Sequence, residues 1–179
     1  ILQIYKKRFD SELDQLAIDN GKLYISIDDE LHTARIMDDG KPEFKGVFKQ
    51  PSDFTMYAYG DTLYITAQKV LYQYNMADIQ NPDLVQQVSL DLKPRRFLKH
   101  GENIYIFDYS EGCIVKPDWT VSHFDLDVGE VTGVGANDDY FFVGTNDSEV
   151  LIYSMDDMWL FTIPPAIREA PLRELMGLP

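Results

Sequence analysis

The stretch Gly60-Asp61-Thr62-Leu63-Tyr64-Ile65 decides the fold. A glycine-acid pair is followed at once by an apolar, aromatic, apolar triplet, the pattern of a tight turn feeding a strand that carries large side chains on both faces. The pattern recurs as Asn20-Gly21-Lys22-Leu23-Tyr24-Ile25, as Gly101-Glu102-Asn103-Ile104-Tyr105-Ile106 and as Asn137-Asp138-Asp139-Tyr140-Phe141-Phe142-Val143. The anchor aromatics Tyr24, Tyr64, Tyr105 and Phe142 stand 40, 41 and 37 residues apart.

A period near 40 built only from short strands is the spacing of β-propeller blades, so the chain reads as all-β. Four antiparallel units of four strands are expected, at 10–50, 51–92, 93–127 and 128–165. In the second unit the strands are predicted at Asp53–Tyr59, Leu63–Gln68, Val70–Asn75 and Leu84–Leu90. The first unit offers Leu13–Ile18, Leu23–Ile27, His32–Met37 and Glu43–Phe48. The third offers Arg96–Lys99, Asn103–Asp108, Cys113–Val115 and Val121–Asp125. The fourth offers Val131–Val134, Tyr140–Gly144, Val150–Ser154 and Trp159–Ile163. Asn20-Gly21, Gly60-Asp61 and Gly101-Glu102 supply residues that tolerate the positive φ of tight hairpins.

The N-terminal stretch Ile1–Phe9 is predicted to be an orphan outer strand. Ile4 precedes Tyr24 by 20 residues, as Phe44 and Val85 precede their own following anchors. It belongs either to a preceding blade or to a blade that closes the ring. Because Trp159–Ile163 already serves the last unit, a piece of a larger propeller is the favoured reading. An open arc leaves two blade faces without neighbours, and these are expected to be covered by more of the same polypeptide, a second copy or another subunit. Residues 166–179 read as a linker or docking tail. There Pro171 suits the first turn of a short helix to Met176, and Gly177 suits its C-terminal cap.

Composition narrows the function. The 179 residues include 10 Phe, 11 Tyr and 2 Trp, which mark a chain with a core despite its formal net charge of −14. A pI near 4.4 opposes binding to a phosphate backbone, so no nucleic-acid partner is expected. No apolar run is long enough to span a membrane as a helix. The single cysteine, Cys113, forms no internal disulfide, and with three histidines it offers no structural zinc set. Compartment stays open between extracellular or periplasmic and cytoplasmic.

The basic residues fall where the outer strand of the second unit passes into the inner strand of the third. Lys93, Arg95, Arg96, Lys99 and His100 form one basic island in an acidic second half, where 13 acids between Phe97 and Pro165 face only Lys99 and Lys116. With Asp28, Glu30 and Glu111 the island is the candidate ligand or partner surface, at the channel mouth where propellers present loops. The plainer alternative is that these cations pair with neighbouring surface acids. No cofactor is expected. Asp125, Asp127 and Glu130 come nearest to a calcium cluster, but they lack the full set of oxygens at loop spacing. Ser110, Ser122 and the three histidines form no nucleophile constellation, so no catalytic residue is assigned.

Asp139 to Ser154 resembles the blade signature of YVTN and quinoprotein-like propellers. Leu63 to Val88, with Asn81-Pro82 before its outer strand, is similar to the LVIVD-type repeat. No WD40 Gly-His and Trp-Asp pair and no kelch double glycine is present. The resemblance implies a surface, periplasmic or interaction role and carries over no catalytic residue. The expected function is a noncatalytic propeller segment acting as a protein-interaction scaffold. The alternative is a ligand-binding or hydrolytic propeller, for example a carbohydrate-active one, with acids at the channel mouth.

Overall fold

The computed structural model describes residues 6–51, 53–126 and 128–155. About 59% of them lie in strands, and no helix occurs among the described residues. None of them forms a helix long and apolar enough to cross a membrane. The chain divides into two compact units between Asp91 and Leu92.

The first unit holds two four-stranded antiparallel sheets. One is β1 (Gln15–Asp19), β2 (Lys22–Ile27), β3 (Glu30–Ile36) and β4 (Pro42–Lys49). The other is β5 (Thr55–Tyr59), β6 (Thr62–Ala67), β7 (Val70–Asn75) and β8 (Asp83–Ser89). Each strand pairs with the next in sequence, so both sheets are meanders, and β1 runs beside β5. Residues paired across strands share a face, which puts Tyr24, Leu31 and Phe48 on the side of the first sheet that meets Met56, Leu63, Ile65 and Tyr72 of the second. The β3–β4 ladder shifts register at Thr33/Ala34 and the β7–β8 ladder at Gln73/Tyr74, one period apart, so the repeat extends to its irregularities.

The hairpin turns follow the sequence. Asn20 and Gly21 both take positive φ, 47° and 68°, as a two-residue turn between Asp19 and Lys22 requires. Gln68 and Lys69 take φ of 49° and 66° between Ala67 and Val70, although neither residue favours that conformation.

Polar contacts seal the seam between these sheets. Lys22, buried, donates from Nζ to the Met76 carbonyl at 2.7 Å, and Thr33 Oγ1 donates to the Ile79 carbonyl at 2.8 Å. The Met56 amide donates to Gln15 Oε1 at 2.7 Å, and the Gly60 amide to Asp19 Oδ2 at 2.6 Å.

The second unit repeats the plan with β9 (Arg96–His100), β10 (Asn103–Phe107), β11 (Glu111–Val115) and β12 (Val121–Asp125) as one sheet. Its other sheet has three strands, β13 (Val131–Ala136), β14 (Tyr140–Thr145) and β15 (Val150–Ser154). β13 runs beside β9, and Tyr105, Phe107 and Phe124 pack on Phe141 and Val143. Cys113 is fully buried in this unit. Gly112 is required by close packing, since a Cβ there would lie 2.6 Å from Phe124 Cε2.

Fifteen of the sixteen strands expected in the four units are present, with small shifts at their ends. The sixteenth, Trp159–Ile163, lies outside the described residues, as does the tail at 166–179. The orphan strand is corrected in part: Ile1–Tyr5 lie outside the described residues, and Lys6–Phe9 are not in a strand. The reason is side-chain packing. The Phe9 ring sits edge-on to His32 and Phe44, at 5.7 and 6.0 Å between centroids, and Lys7 Nζ lies 3.5 Å from the Phe44 centroid. This segment covers the face of the first sheet with rings and a cation instead of extending a ladder.

Candidate functional site

Strand geometry divides the basic island. Arg95 and Arg96 stand at the start of β9, whereas Lys99 and His100 stand at its end, about 13 Å further along an extended chain. At the far end, Lys99 Nζ donates to the Gly101 carbonyl at 2.8 Å, and His100 Nε2 lies 4.0 Å from Asp138 Oδ1. Lys93 is exposed in the connection before β9.

At the near end Arg95 organises a polar knot. Its Nε donates to Asp108 Oδ1 at 3.1 Å, and Nη1 lies 3.6 Å from Glu130 Oε1. The guanidinium also lies 3.8 Å from the Tyr109 ring centroid, and Nη2 reaches the Tyr109 hydroxyl. Arg96 Nε donates to the Thr132 carbonyl at 2.8 Å. The surrounding loops are tied by main-chain bonds from Val131 to Tyr109 and from Asn146 to Glu130. Arg95 therefore meets two carboxylates and an aromatic face within its own unit, an internally compensated arrangement.

The remaining candidates separate. Glu111 and Asp125 are directly opposed across β11 and β12. Glu130 turns to Arg95, and Asp127 lies outside the described residues. Among the described residues no three acids, histidines or cysteines gather closely enough to hold a metal ion. Glu30 lies 3.4 Å from His32 Nε2.

Asp28 leads to a different place. It lines a cleft of about 690 Å³ in the first unit together with Asp14, Gln15, Ser26, Asp29, Asp53, Phe54 and Thr55. The cleft forms where the lead-in to β1, the β2–β3 turn and the lead-in to β5 converge, so three separate segments supply its acids. Among the described residues none of these four carboxylates accepts a hydrogen bond, and none has a cation within 4.0 Å. Phe54, buried, closes the apolar side. Asp14, Asp29 and Asp53 were not singled out in the sequence. The available signal was that Asp14 and Asp53, 39 residues apart, precede the inner strands of successive repeats, and that Asp29 shares a turn with Asp28.

No family model matches the chain, and no curated protein matches it. Solved structures do. The chain is similar to a functionally unknown protein from Desulfotomaculum acetoxidans DSM 771, at 16% identity and TM-score 0.62 over 80% of this chain and 55% of that one. It is similar to the computationally designed Ika4 protein, at 10% identity and TM-score 0.64 over 86% of this chain and 98% of that one. It is also similar to Kluyveromyces lactis Hsv2, at 12% identity and TM-score 0.54 over 76% of this chain and 43% of that one. At these identities the likeness is one of fold alone. The chain spans about half the length of the two natural proteins and nearly all of the designed one.

Proposed function

We propose that the chain is a run of β-propeller blades of the LVIVD, YVTN or quinoprotein-like kind, working as a noncatalytic protein-interaction scaffold within a longer chain or an assembly. One observation carries the reading. Tyr24 and Tyr105 lie on the side of their sheet that packs on the next one, and Phe142 holds the same place in the repeat. Among the described residues no sheet follows it. Instead Phe142 shares its face with Tyr140, Val150 and Ile152, and Val150 and Ile152 are 68% and 61% exposed. Fully burying such a side chain is worth roughly 1.5–3 kcal/mol, so this face gains from a partner. In the first unit β1 likewise exposes Leu16 and Ile18 on the side away from the core. The greater length of the natural structural neighbours fits further sheets on either side.

Crosslinking from position 152 tests the reading. A photoreactive residue there is expected to join β1 of a second copy of the purified chain. Products confined to residues 156–179 of the same chain contradict it.

A second reading, a ligand-binding or hydrolytic propeller, is favoured by the cleft of the first unit, where acids converge from three segments.

A further inference from the structure

We infer that the cleft between the β1 lead-in, the β2–β3 turn and the β5 lead-in binds an organic cation with two or more charged nitrogens, an alkylammonium or guanidinium ligand. The inference rests on the binding reading of this cleft and is independent of the scaffold reading, which concerns other surfaces.

Two observations carry it. Asp14, Asp28, Asp29 and Asp53 line one cleft without a hydrogen-bond donor or a cation on any of their carboxylates among the described residues. Elsewhere in the same unit some exposed acids have a cation partner, as Asp39 has Lys41 and Glu43 has Lys45. Independently, Ser26 is a polar residue only 1% exposed that also lines the cleft. It pairs with Gln15 across β1 and β2, and Gln15 bonds the Met56 amide on β5, so the Ser26 side chain points between the sheets toward the cleft. Its hydroxyl has no hydrogen-bond partner among the described residues. The hydroxyl, on the cleft lining, is thus available to accept from a ligand N–H.

The arrangement also sets the class of ligand. The carboxylates do not gather tightly enough to coordinate a metal ion, and the cleft holds far more volume than one ion. Acceptors spread around a cavity suit charges spread along a chain, and Phe54 offers an apolar contact for the intervening methylenes. A free polyamine and a basic peptide segment share this chemistry.

Isothermal titration calorimetry of the full chain with spermidine and with a tetra-arginine peptide tests the inference. Saturable binding to either probe is expected, and the probe that binds more tightly identifies the source of the cation. The Asp28→Asn/Asp53→Asn variant keeps side chains that tolerate the left-handed backbone at both positions, with φ of 51° and 56°. It is expected to weaken binding about tenfold or more. Ser26→Ala is expected to weaken it about two- to fivefold. Asp38→Asn/Asp83→Asn, which removes the same charge from outside the cleft, is expected to leave affinity within about twofold. Thermal melts establish that each variant is folded. Absence of saturable binding to both probes, or equal weakening by the two double variants, overturns the inference.

Discussion

Lys22 Nζ lies 2.5 Å from Asp61 Oδ1 and joins the first hairpin of one sheet to the first hairpin of the next. The lysine is buried and the aspartate half exposed, so the pair is asymmetric. Removing Asp61 strands an ammonium in the seam with, among the described residues, the Met76 carbonyl as its remaining partner. Asp61→Ala is expected to lower Tm, and adding Lys22→Met to recover much of the loss, since an apolar side chain needs no partner there. The hydrogen bond from Lys22, the Lys22 charge and the Asn20 amide hold the Asp61 carboxyl below the usual carboxylate range. A depressed carboxylate contributes stability that is fully present above its unfolded value and lost as pH falls through the folded one. Melting curves of wild type and Asp61→Asn should therefore differ near neutrality and converge in acid.

Tyr24 presents a different problem at the same seam. Its ring is fully buried in the core of the first unit, and its hydroxyl has no partner among the described residues. Burial first, then the charges of Asp61 and Asp19, push the phenol well above its ordinary value, so it stays neutral. Removing an unsatisfied buried hydroxyl is stabilising or neutral, and Tyr24→Phe is expected to raise stability by about 1 kcal/mol in urea denaturation. A loss of that size would mean that the hydroxyl has a partner.

The Gln68-Lys69 turn holds two ordinary residues at positive φ. Left-handed backbone costs a residue with Cβ roughly 1 kcal/mol, and Asn-Gly is the pair this turn prefers. Gln68→Asn/Lys69→Gly is expected to stabilise the chain by about 1 kcal/mol, partly offset by the greater freedom of glycine in the unfolded chain. A fall in the denaturation midpoint would show that the Lys69 side chain contributes more through its contact with the Asp91 carbonyl than the turn loses.

The strands were legible because hairpin turns and alternation repeat with a period. Val70–Asn75, Val121–Asp125 and Val150–Ser154 were predicted to the residue. The start of β5 was not. Asp53 was expected inside that strand, but its φ of 56° excludes it from extended backbone, and the strand begins at Thr55. The sites were less legible because adjacency in sequence and in space differ along an extended strand. Lys93 to His100 is one run of charge in sequence, yet its arginines and its lysine-histidine pair lie at opposite ends of β9. Conversely, Asp14, Asp28 and Asp53 meet in one cleft because antiparallel hairpins return distant residues to the same end of neighbouring sheets. Lys22 gave no signal at all, since a lysine after a turn glycine ordinarily points into solvent.

The scaffold reading depends on the outward face of the last sheet, and sedimentation velocity over a range of concentrations tests it most directly. The purified 179-residue chain is expected to associate as concentration rises, and Val150→Glu/Ile152→Lys to shift it toward the monomer while leaving its melting temperature nearly unchanged. A sharp, stable monomer at every concentration, with no response to those substitutions, would contradict the account.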